Sequence, residues 1–209
     1  STKELEASAL NLKTTAPRTA ERLLCFAKHY AADFSQIVAS FSCMIDCQIK
    51  CITCGHCRTV YEPYQVLSVP TRDTVEESLA DLLGEERVTV ECPPCKAKGR
   101  TTEGSTTKRV VAIHPENLVI HIKRFSSDGS SKDSRKVGLP TILSIGKAKY
   151  QVFGVVSHYG NRNGGHYTAT IGPGADGEYY VVDDDNISKA DRSKSSFEAA
   201  YLVYGRLIK

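Results

Sequence analysis

Residues 51–57 read Cys-Ile-Thr-Cys-Gly-His-Cys, and residues 91–95 read Glu-Cys-Pro-Pro-Cys. Two thiolates that flank two other residues can bind one tetrahedral metal ion, because the turn between them brings both sulfurs to one side. Two such pairs together complete a closed structural zinc site. The predicted ligands are Cys51, Cys54, Cys92 and Cys95.

The spacing of the two pairs restricts how they can meet. The 37 residues between Cys54 and Cys92 hold a predicted strand and helix of their own, so the pairs must meet at the tips of two hairpins. His56 and Cys57 compete as ligands, since Cys54 and Cys57 also form a Cys-x-x-Cys pair. The alternative without a metal is a set of unrelated buried cysteines.

The composition limits the classes of function. The chain has 209 residues, enough for a sizeable core, and its eight cysteines favour metal binding over a disulfide framework. This cysteine usage predicts a reducing compartment, cytoplasmic or nuclear. A net charge of +3 with scattered basic residues argues against a nucleic-acid partner. Lys123 and Arg124 are predicted to mark a solvated strand end, and the sequence contains no stretch that predicts a membrane span.

The first 38 residues carry a helical pattern. Pro17 suits a helix start, and apolar side chains follow at helical spacing. A second, shorter helix is predicted from Thr74 to Leu83, with Asp73 as its cap and Gly84 at its end. The apolar face predicted for the first region comprises Leu23, Leu24, Ala27, Phe34, Ile37 and Val38.

Strand patterns dominate the rest of the chain. Residues 41–51 alternate apolar and polar side chains, which predicts a half-buried strand with Cys43 and Cys47 as packed core thiols. Breaker residues predict loops at 126–134 and 160–165, the first of them a mobile surface loop. Further strands are predicted at 110–113, 118–122, 150–156, 166–171, 178–182 and 201–204.

A histidine and a carboxylate cluster form a second candidate site. Gly164-Gly165-His166-Tyr167 precedes Asp183-Asp184-Asp185 by one strand pair. An imidazole can take a proton from a thiol and return it to a leaving amine, while a carboxylate on its other nitrogen fixes the tautomer. Asp183 is favoured, because it directly follows Val181-Val182 and strand alternation would turn Asp184 to the opposite face. Asp184 could still brace the site, and Asp185 would begin the turn. A hydrogen-bonded core histidine is the alternative.

Several motifs in consistent order resemble the ubiquitin-specific protease family. They cover roughly residues 41–207. Residues 51–64, 67–70 and 91–95 resemble the fingers of that family, and residues 117–125 resemble its palm strand, which ends in Lys-Arg-Phe. Residues 157–169 resemble its histidine box, and residues 178–185 and 200–204 resemble its closing strands.

This resemblance implies an α+β, papain-like ubiquitin-specific protease fold. A palm β-sheet would carry zinc-binding fingers and a partial helical thumb. Residues 1–40 would form the partial thumb, and residues 41–207 the fingers and palm, with the fingers at about 41–112. Structural zinc is the implied cofactor.

The resemblance also implies a function in which ubiquitin, or a ubiquitinated protein, is the partner. Members grip ubiquitin and thread its C-terminal Gly-Gly tail into a narrow channel. His166 corresponds to the general base and Asp183 to the carboxylate that orients it. The residues that correspond to the channel are Gly164, Gly165 and Tyr167.

The nucleophile of this family is missing from the sequence. Members carry it in an Asn-x-Cys box that opens a helix, and these 209 residues contain no such box. Cys25 lies between Leu24 and Phe26 in mid-helix, which favours a buried thiol. Three interpretations stay open: a C-terminal portion that hydrolyses ubiquitin isopeptide bonds if a Cys box is supplied, a pseudoenzyme that binds ubiquitin, or a scaffold subunit of a larger complex.

Overall fold

The structure, a computed structural model, describes residues 2–32, 35–174, 176–190, 196–197 and 199–208. The helices are α1 (Thr2–Leu12), α2 (Pro17–Ala32), α3 (Gln36–Phe41), α4 (Val75–Leu83) and α5 (Pro93–Ala97). The strands are β1 (Cys43–Cys51), β2 (Cys57–Tyr64), β3 (Leu67–Pro70), β4 (Glu85–Val88), β5 (Ser105–Ile113), β6 (Asn117–Lys123), β7 (Val137–Gly138), β8 (Ile142–Ile145), β9 (Ala148–Asn161), β10 (Gly164–Ile171), β11 (Tyr180–Asp183), β12 (Asn186–Lys189), β13 (Ser196–Phe197) and β14 (Ala200–Leu207).

The chain divides into two compact units. The first comprises Ser1–Gln65 and Leu83–Pro115, and it holds an antiparallel sheet in the order β2-β1-β5-β4. Phe26 and Tyr30 of α2 pack against Met44 of β1 and form one core cluster with it. The helices therefore cover one face of the central strand.

Strand β1 corrects the prediction of a half-buried strand. It begins at Cys43, because Phe41 ends α3, and its first five residues are all buried. Met44 lies under α2, and Asp46 is covered by Arg22 of the same helix. Cys43 and Cys47 are packed core thiols, as predicted, and burial raises the pKa of both, that of Cys43 to about 11.

The helical region is broken into three helices, and α2 begins at Pro17 as predicted. The buried face differs from the predicted one, because Leu24 and Ile37 are exposed while Phe26 is buried against β1. Phe34, which was assigned to the same face, lies outside the described residues. Within the described part of the chain, none of the helices combines the length and the apolar character that a bilayer crossing requires.

The second unit comprises Val66–Leu82 and Glu116–Lys209. Its main sheet follows the order β12-β11-β10-β9-β14-β6-β3, with β8 also paired to β9, and only β3 and β6 run parallel in it. Strand β9 is the longest in the chain that the structure describes, and it pairs with β10 and β14. All six strands predicted after the second cysteine pair are present, most of them longer than predicted.

The segment 160–165 was predicted as a loop, which is wrong. Strand β9 continues to Asn161 and β10 begins at Gly164, so only two residues form the turn between them. The Oδ1 atom of Asn161 accepts the backbone N–H groups of Asn163 and Gly164 at 2.9 and 3.2 Å. This side-chain cap closes a tight hairpin where glycine and asparagine content alone indicated a longer loop.

Two smaller features differ from the local predictions. The cap of α4 is Thr74 rather than Asp73, because Thr74 and Glu77 form a reciprocal capping box at 3.2 and 3.3 Å. The helix ends before Gly84 as predicted.

In the loop at 126–134, Asp128 Oδ1 accepts hydrogen bonds from the hydroxyls of Ser126 and Ser130, which lower the pKa of Asp128 to about 2. The loop is thus organised around one carboxylate.

The Arg22–Asp46 ion pair gives a first prediction. Asp46→Asn should lower the free energy of unfolding by roughly 2–3 kcal/mol, because the Arg22 charge is then left without its partner in a largely buried place. Urea unfolding at neutral pH measures this. Asp81→Asn, which breaks the more exposed pair with Arg72, is the control and should cost about 0–1 kcal/mol. Equal losses in the two variants would contradict the prediction.

Candidate functional site

The predicted cysteine ligands lie on two short turns of the first unit. Strand β1 ends at Cys51, and the turn after it carries Cys54. Gly55 donates its backbone N–H to the carbonyl of Cys51 at 2.9 Å, with a φ of +71° that favours glycine. Cys92 immediately precedes α5, and Cys95 lies within that helix. Each Cys-x-x-Cys pair therefore presents both sulfurs from one tight turn.

The four sulfurs converge on one point. The Sγ atoms of Cys51 and Cys95 are 3.9 Å apart, those of Cys54 and Cys92 are 3.6 Å apart, and all four lie within 4.8 Å of one another. A tetrahedral zinc ion with bonds of about 2.3 Å places its sulfur ligands about 3.8 Å apart. The residues fit zinc in number, in type and in spacing.

The competing ligands do not join this cluster among the described residues. The backbone carbonyl of His56 accepts the N–H of Cys51 at 2.9 Å, and Cys57 begins β2 opposite Lys50. The backbone N–H of Cys54 is directed at the Cys51 sulfur and lowers the pKa of that thiol to about 7. Donation of this kind favours the thiolate form that binds a metal.

The histidine and carboxylate meet in the second unit. His166 stands opposite Tyr159 in the β9–β10 ladder, and Asp183 ends β11. The Nε2 atom of His166 is hydrogen-bonded to Oδ1 of Asp183, and both side chains are 49% exposed. An ionised carboxylate can only accept, so Nε2 carries the proton and Nδ1 keeps its lone pair.

This contact changes the electrostatics of the imidazole. The hydrogen bond that His166 donates to Asp183, together with the negative charge of Asp183, raises the pKa of His166 above the ordinary 6.5, and the charge of Asp184 raises it further. Both effects stabilise the imidazolium that forms when Nδ1 takes up a proton. The pair thus combines a fixed tautomer with a stabilised imidazolium.

Asp184 does not turn to the opposite face, contrary to the strand-alternation argument. Asp184 and Asp185 form the turn between β11 and β12, and Asp184 has a φ of 50°. Alternation applies only inside the strand, which ends at Asp183. The carboxylate of Asp184 lies within 4.8 Å of the groups of His166 and Asp183, so it adds negative charge to the site.

The predicted channel residues have different surroundings. A Cβ on Gly164 would meet no atom within 4 Å, whereas a Cβ on Gly165 would collide with the His158 ring and the Tyr159 carbonyl. Gly165 is therefore required by the hairpin itself. Tyr167 is 54% exposed, and its ring centroid lies 4.6 Å from that of His158.

A cavity of about 410 Å³ opens beside Tyr167 within the second unit. Phe125, Arg124 and Arg162 are among the residues that line it. Arg124 was predicted to be a solvated strand end, but it is only 2% exposed. Its guanidinium donates to three backbone carbonyls, one of them that of Ala200 at 2.6 Å, which explains how a cation is tolerated there.

Cys25 is packed against the core but only partly buried, whereas its sequence context favoured a buried thiol. It lies in α2, beside the core cluster of Phe26, Tyr30 and Met44. Its Sγ atom donates to the backbone carbonyl of Tyr61 at 3.5 Å. A thiol in the middle of a helix gains nothing from the positive helix N-terminus that activates nucleophilic cysteines.

A family model and curated relatives match most of the chain. The family model described as ubiquitin carboxyl-terminal hydrolase matches residues 5–204. Ubiquitin carboxyl-terminal hydrolase 4 of Eremothecium gossypii is 29% identical over 216 residues, covering 88% of this chain and 25% of the relative. Ubiquitin carboxyl-terminal hydrolase 2 of Bos taurus is 29% identical over 203 residues, covering 86% of this chain and 32% of the relative.

A solved structure shares the fold. The SAGA Ubp8/Sgf11/Sus1/Sgf73 DUB module bound to ubiquitin aldehyde contains a chain that matches with a TM-score of 0.72 at 20% identity. The match covers 95% of this chain and 52% of that one. The chain therefore spans about half of the matched structure and a quarter to a third of the curated relatives.

The hydrogen bond to Asp183 predicts how His166 titrates. Asp183→Asn should lower the pKa of His166 toward 6.5, because the charge that stabilises the imidazolium is removed. Since the folded-state pKa is raised, the pair stabilises the fold fully below pH 6.5 and loses that effect as the pH rises through the raised value. An NMR titration of the His166 ring measures the shift. Asp185→Asn is the matched control, and an equal fall in both variants would contradict the prediction.

Proposed function

Because the chain belongs to the ubiquitin carboxyl-terminal hydrolase family, we propose that it forms the base-carrying part of a thiol-dependent deubiquitinase. Its fold is the α+β ubiquitin-specific protease fold. The observation that carries the proposal is the hydrogen-bonded His166–Asp183 pair, with Nδ1 left to accept a proton. The reaction is the hydrolysis of ubiquitin isopeptide bonds by a cysteine on an Asn-x-Cys segment outside these 209 residues.

In this proposal His166 moves the proton in both halves of the reaction. Its Nδ1 atom takes the proton from the thiol, and the thiolate attacks the carbonyl of the ubiquitin C-terminal glycine. Asp183 holds the Nε2 proton and stabilises the imidazolium. The imidazolium then gives its proton to the leaving lysine amine, and the same base activates the water that releases ubiquitin.

The proposed channel for the ubiquitin tail runs past the turn before His166. Gly164 faces open space, so a substrate backbone can pass close to it. Tyr167 is exposed beside the cavity and supplies an aromatic wall. We assign the partial thumb to residues 1–40 and the fingers and palm to residues 41–207, with the fingers at about 41–112.

A second candidate function is a ubiquitin-binding or scaffold subunit without activity. Two observations favour it: Cys25 is packed in mid-helix, and these 209 residues hold no Asn-x-Cys box. The SAGA module that shares the fold is a multi-subunit assembly bound to ubiquitin aldehyde. A larger protein complex is therefore part of the proposal, and the cysteine usage adds a nuclear or cytoplasmic location.

The two candidate functions predict different results with a ubiquitin-fluorophore substrate. Joined to a family segment with an Asn-x-Cys box, the chain should release the fluorophore, and His166→Ala should reduce kcat/KM by about 10²–10⁴-fold. The chain without that segment should bind ubiquitin without turnover, and Cys25→Ala should change nothing. The same segment with its cysteine replaced by alanine is the control.

Each outcome of this experiment has one interpretation. An unchanged kcat/KM in His166→Ala would refute the assignment of the base. Binding without turnover in the joined protein would favour the ubiquitin-binding candidate. Absence of both binding and turnover would contradict the proposed function, and a scaffold subunit that does not bind ubiquitin would be the remaining interpretation.

Zinc is the proposed occupant of the cysteine cluster, where it would hold the two turns together and take no part in proton transfer. Elemental analysis should find one zinc ion per chain. Cys95→Ser should abolish the metal and destabilise the fingers, because the free energy of metal binding contributes to folding. Cys57→Ser is the matched control and should retain the full metal content, since Cys57 lies outside the cluster. Folded protein without metal would contradict the prediction.

A further inference from the structure

One lysine links the loop at 126–134 to the hairpin that carries the histidine. The Nζ atom of Lys132 donates to the backbone carbonyls of His158 and Gly160 at 2.7 and 2.9 Å. It also lies 3.2 Å from Nδ1 of His158 and 5.6 Å from the centre of the Phe125 ring. An ammonium group has three N–H donors, and these contacts use all of them.

The protonation of His158 agrees with this arrangement. His158 is buried, and its pKa is lowered by burial and by the charge of Lys132. A neutral ring can accept at Nδ1, so it can take the third N–H of the lysine. Burial and the nearby charge of Arg124 lower the pKa of Lys132, whose Nζ atom contacts two backbone carbonyls and an imidazole nitrogen.

Lys132 contacts β9 just beyond the point where the pairing between β9 and β14 ends. Strand β14 begins at Ala200, which pairs with Ser157 of β9. The N–H of His158 still donates to the carbonyl of Ala199, so His158 faces the β14 side, and Gly160 faces the same side two residues later. The ammonium group therefore satisfies two carbonyls of β9 beyond the start of β14.

These carbonyls flank the position of the proposed base. In the β9–β10 register, His158 pairs with Tyr167 and Gly160 pairs with Gly165. The residue pair between these two is Tyr159 with His166. The β10–β11 ladder covers only Ala169–Ile171 of β10, which leaves His166 and Asp183 beyond its last rung. The backbone of His166 is thus held through β9.

A second contact joins the same two segments. Arg162, in the turn of the hairpin, donates from Nη1 to the carbonyl of Asp128 at 3.0 Å. Gly129 has a φ of +72°, and a Cβ there would collide with the Arg162 side chain. The loop is therefore shaped to receive the hairpin turn.

We propose that Lys132 is a positioning residue that fixes the end of β9 and so keeps His166 in hydrogen-bond contact with Asp183. The inference rests on the proposed function for its significance, although the contact itself does not depend on ubiquitin. Because His166 and Asp183 are half exposed, side-chain packing holds them weakly, and the backbone sets their separation. Freeing the carbonyls of His158 and Gly160 lets the hairpin end move away from β11.

The test is the pKa of His166 in Lys132→Met, measured by NMR. Loss of positioning weakens the bond to Asp183 and should lower the proton affinity of His166 by about threefold or more. A purely Coulombic role predicts the opposite sign, because removal of a cation raises the pKa of a nearby imidazole. Asp183 and Asp184, the acidic groups that face His166, are unchanged in the variant.

Two controls complete the test. Lys147→Met, in the exposed turn before β9, should leave the pKa of His166 unchanged. In the Asp183→Asn background, Lys132→Met should have no further effect, because the bond on which it acts is absent. His166→Gln identifies the resonance among the six histidines.

The outcomes are distinct. An unchanged or raised pKa of His166 in folded Lys132→Met overturns the proposal, whatever the effect on the melting temperature. If Lys132→Met fails to fold, Lys132→Gln retains an N–H donor and should give a smaller fall in the same direction; no fall overturns the proposal. The titration needs no turnover, so it remains informative even if the proposed hydrolysis is refuted.

Discussion

Strand β9 hydrogen-bonds to β10 on one edge and to β14 on the other, and the position of His166 depends on this double ladder. A strand held on both edges cannot slip without breaking both sets of bonds, and a slip of one residue would turn every side chain to the other face. The register places His166 opposite Tyr159 near the hairpin turn. Asp183 reaches the imidazole because β11 ends beside this rung.

The cysteine cluster of the first unit also depends on a strand that is paired on both edges. Strand β1 pairs with β2 and β5, so its end at Cys51 has a defined place. Ile52 donates to the carbonyl of Gly104 at 3.1 Å, which joins the first cysteine turn to the segment before β5. In both units, the side chains that carry the chemistry lie where a well-paired strand ends. A strand end combines a fixed backbone with room for a reactive group.

Local patterns in the sequence predicted much of this arrangement. The Cys-x-x-Cys spacing identified the four convergent sulfurs, and Pro17 marked a true helix start. Predictions failed where a distant segment changed the surroundings. Strand β1 is buried on both faces because α2 covers the face that alternation assigned to solvent. Arg124 is buried because carbonyls distant in sequence, that of Ala200 among them, accept its N–H groups.

The sequence by itself determined which residue types are available and how they are spaced: two cysteine pairs, a histidine after two glycines, a carboxylate run, and no Asn-x-Cys box. Those properties depend on short-range chemistry, which a linear pattern records. Only the tertiary structure decided that Asp184 stays near His166 and that Lys132 replaces strand partners for β9. These contacts arise from the end of β11 and the start of β14, and strand ends are set by pairing across the sheet rather than by the residues at the ends themselves.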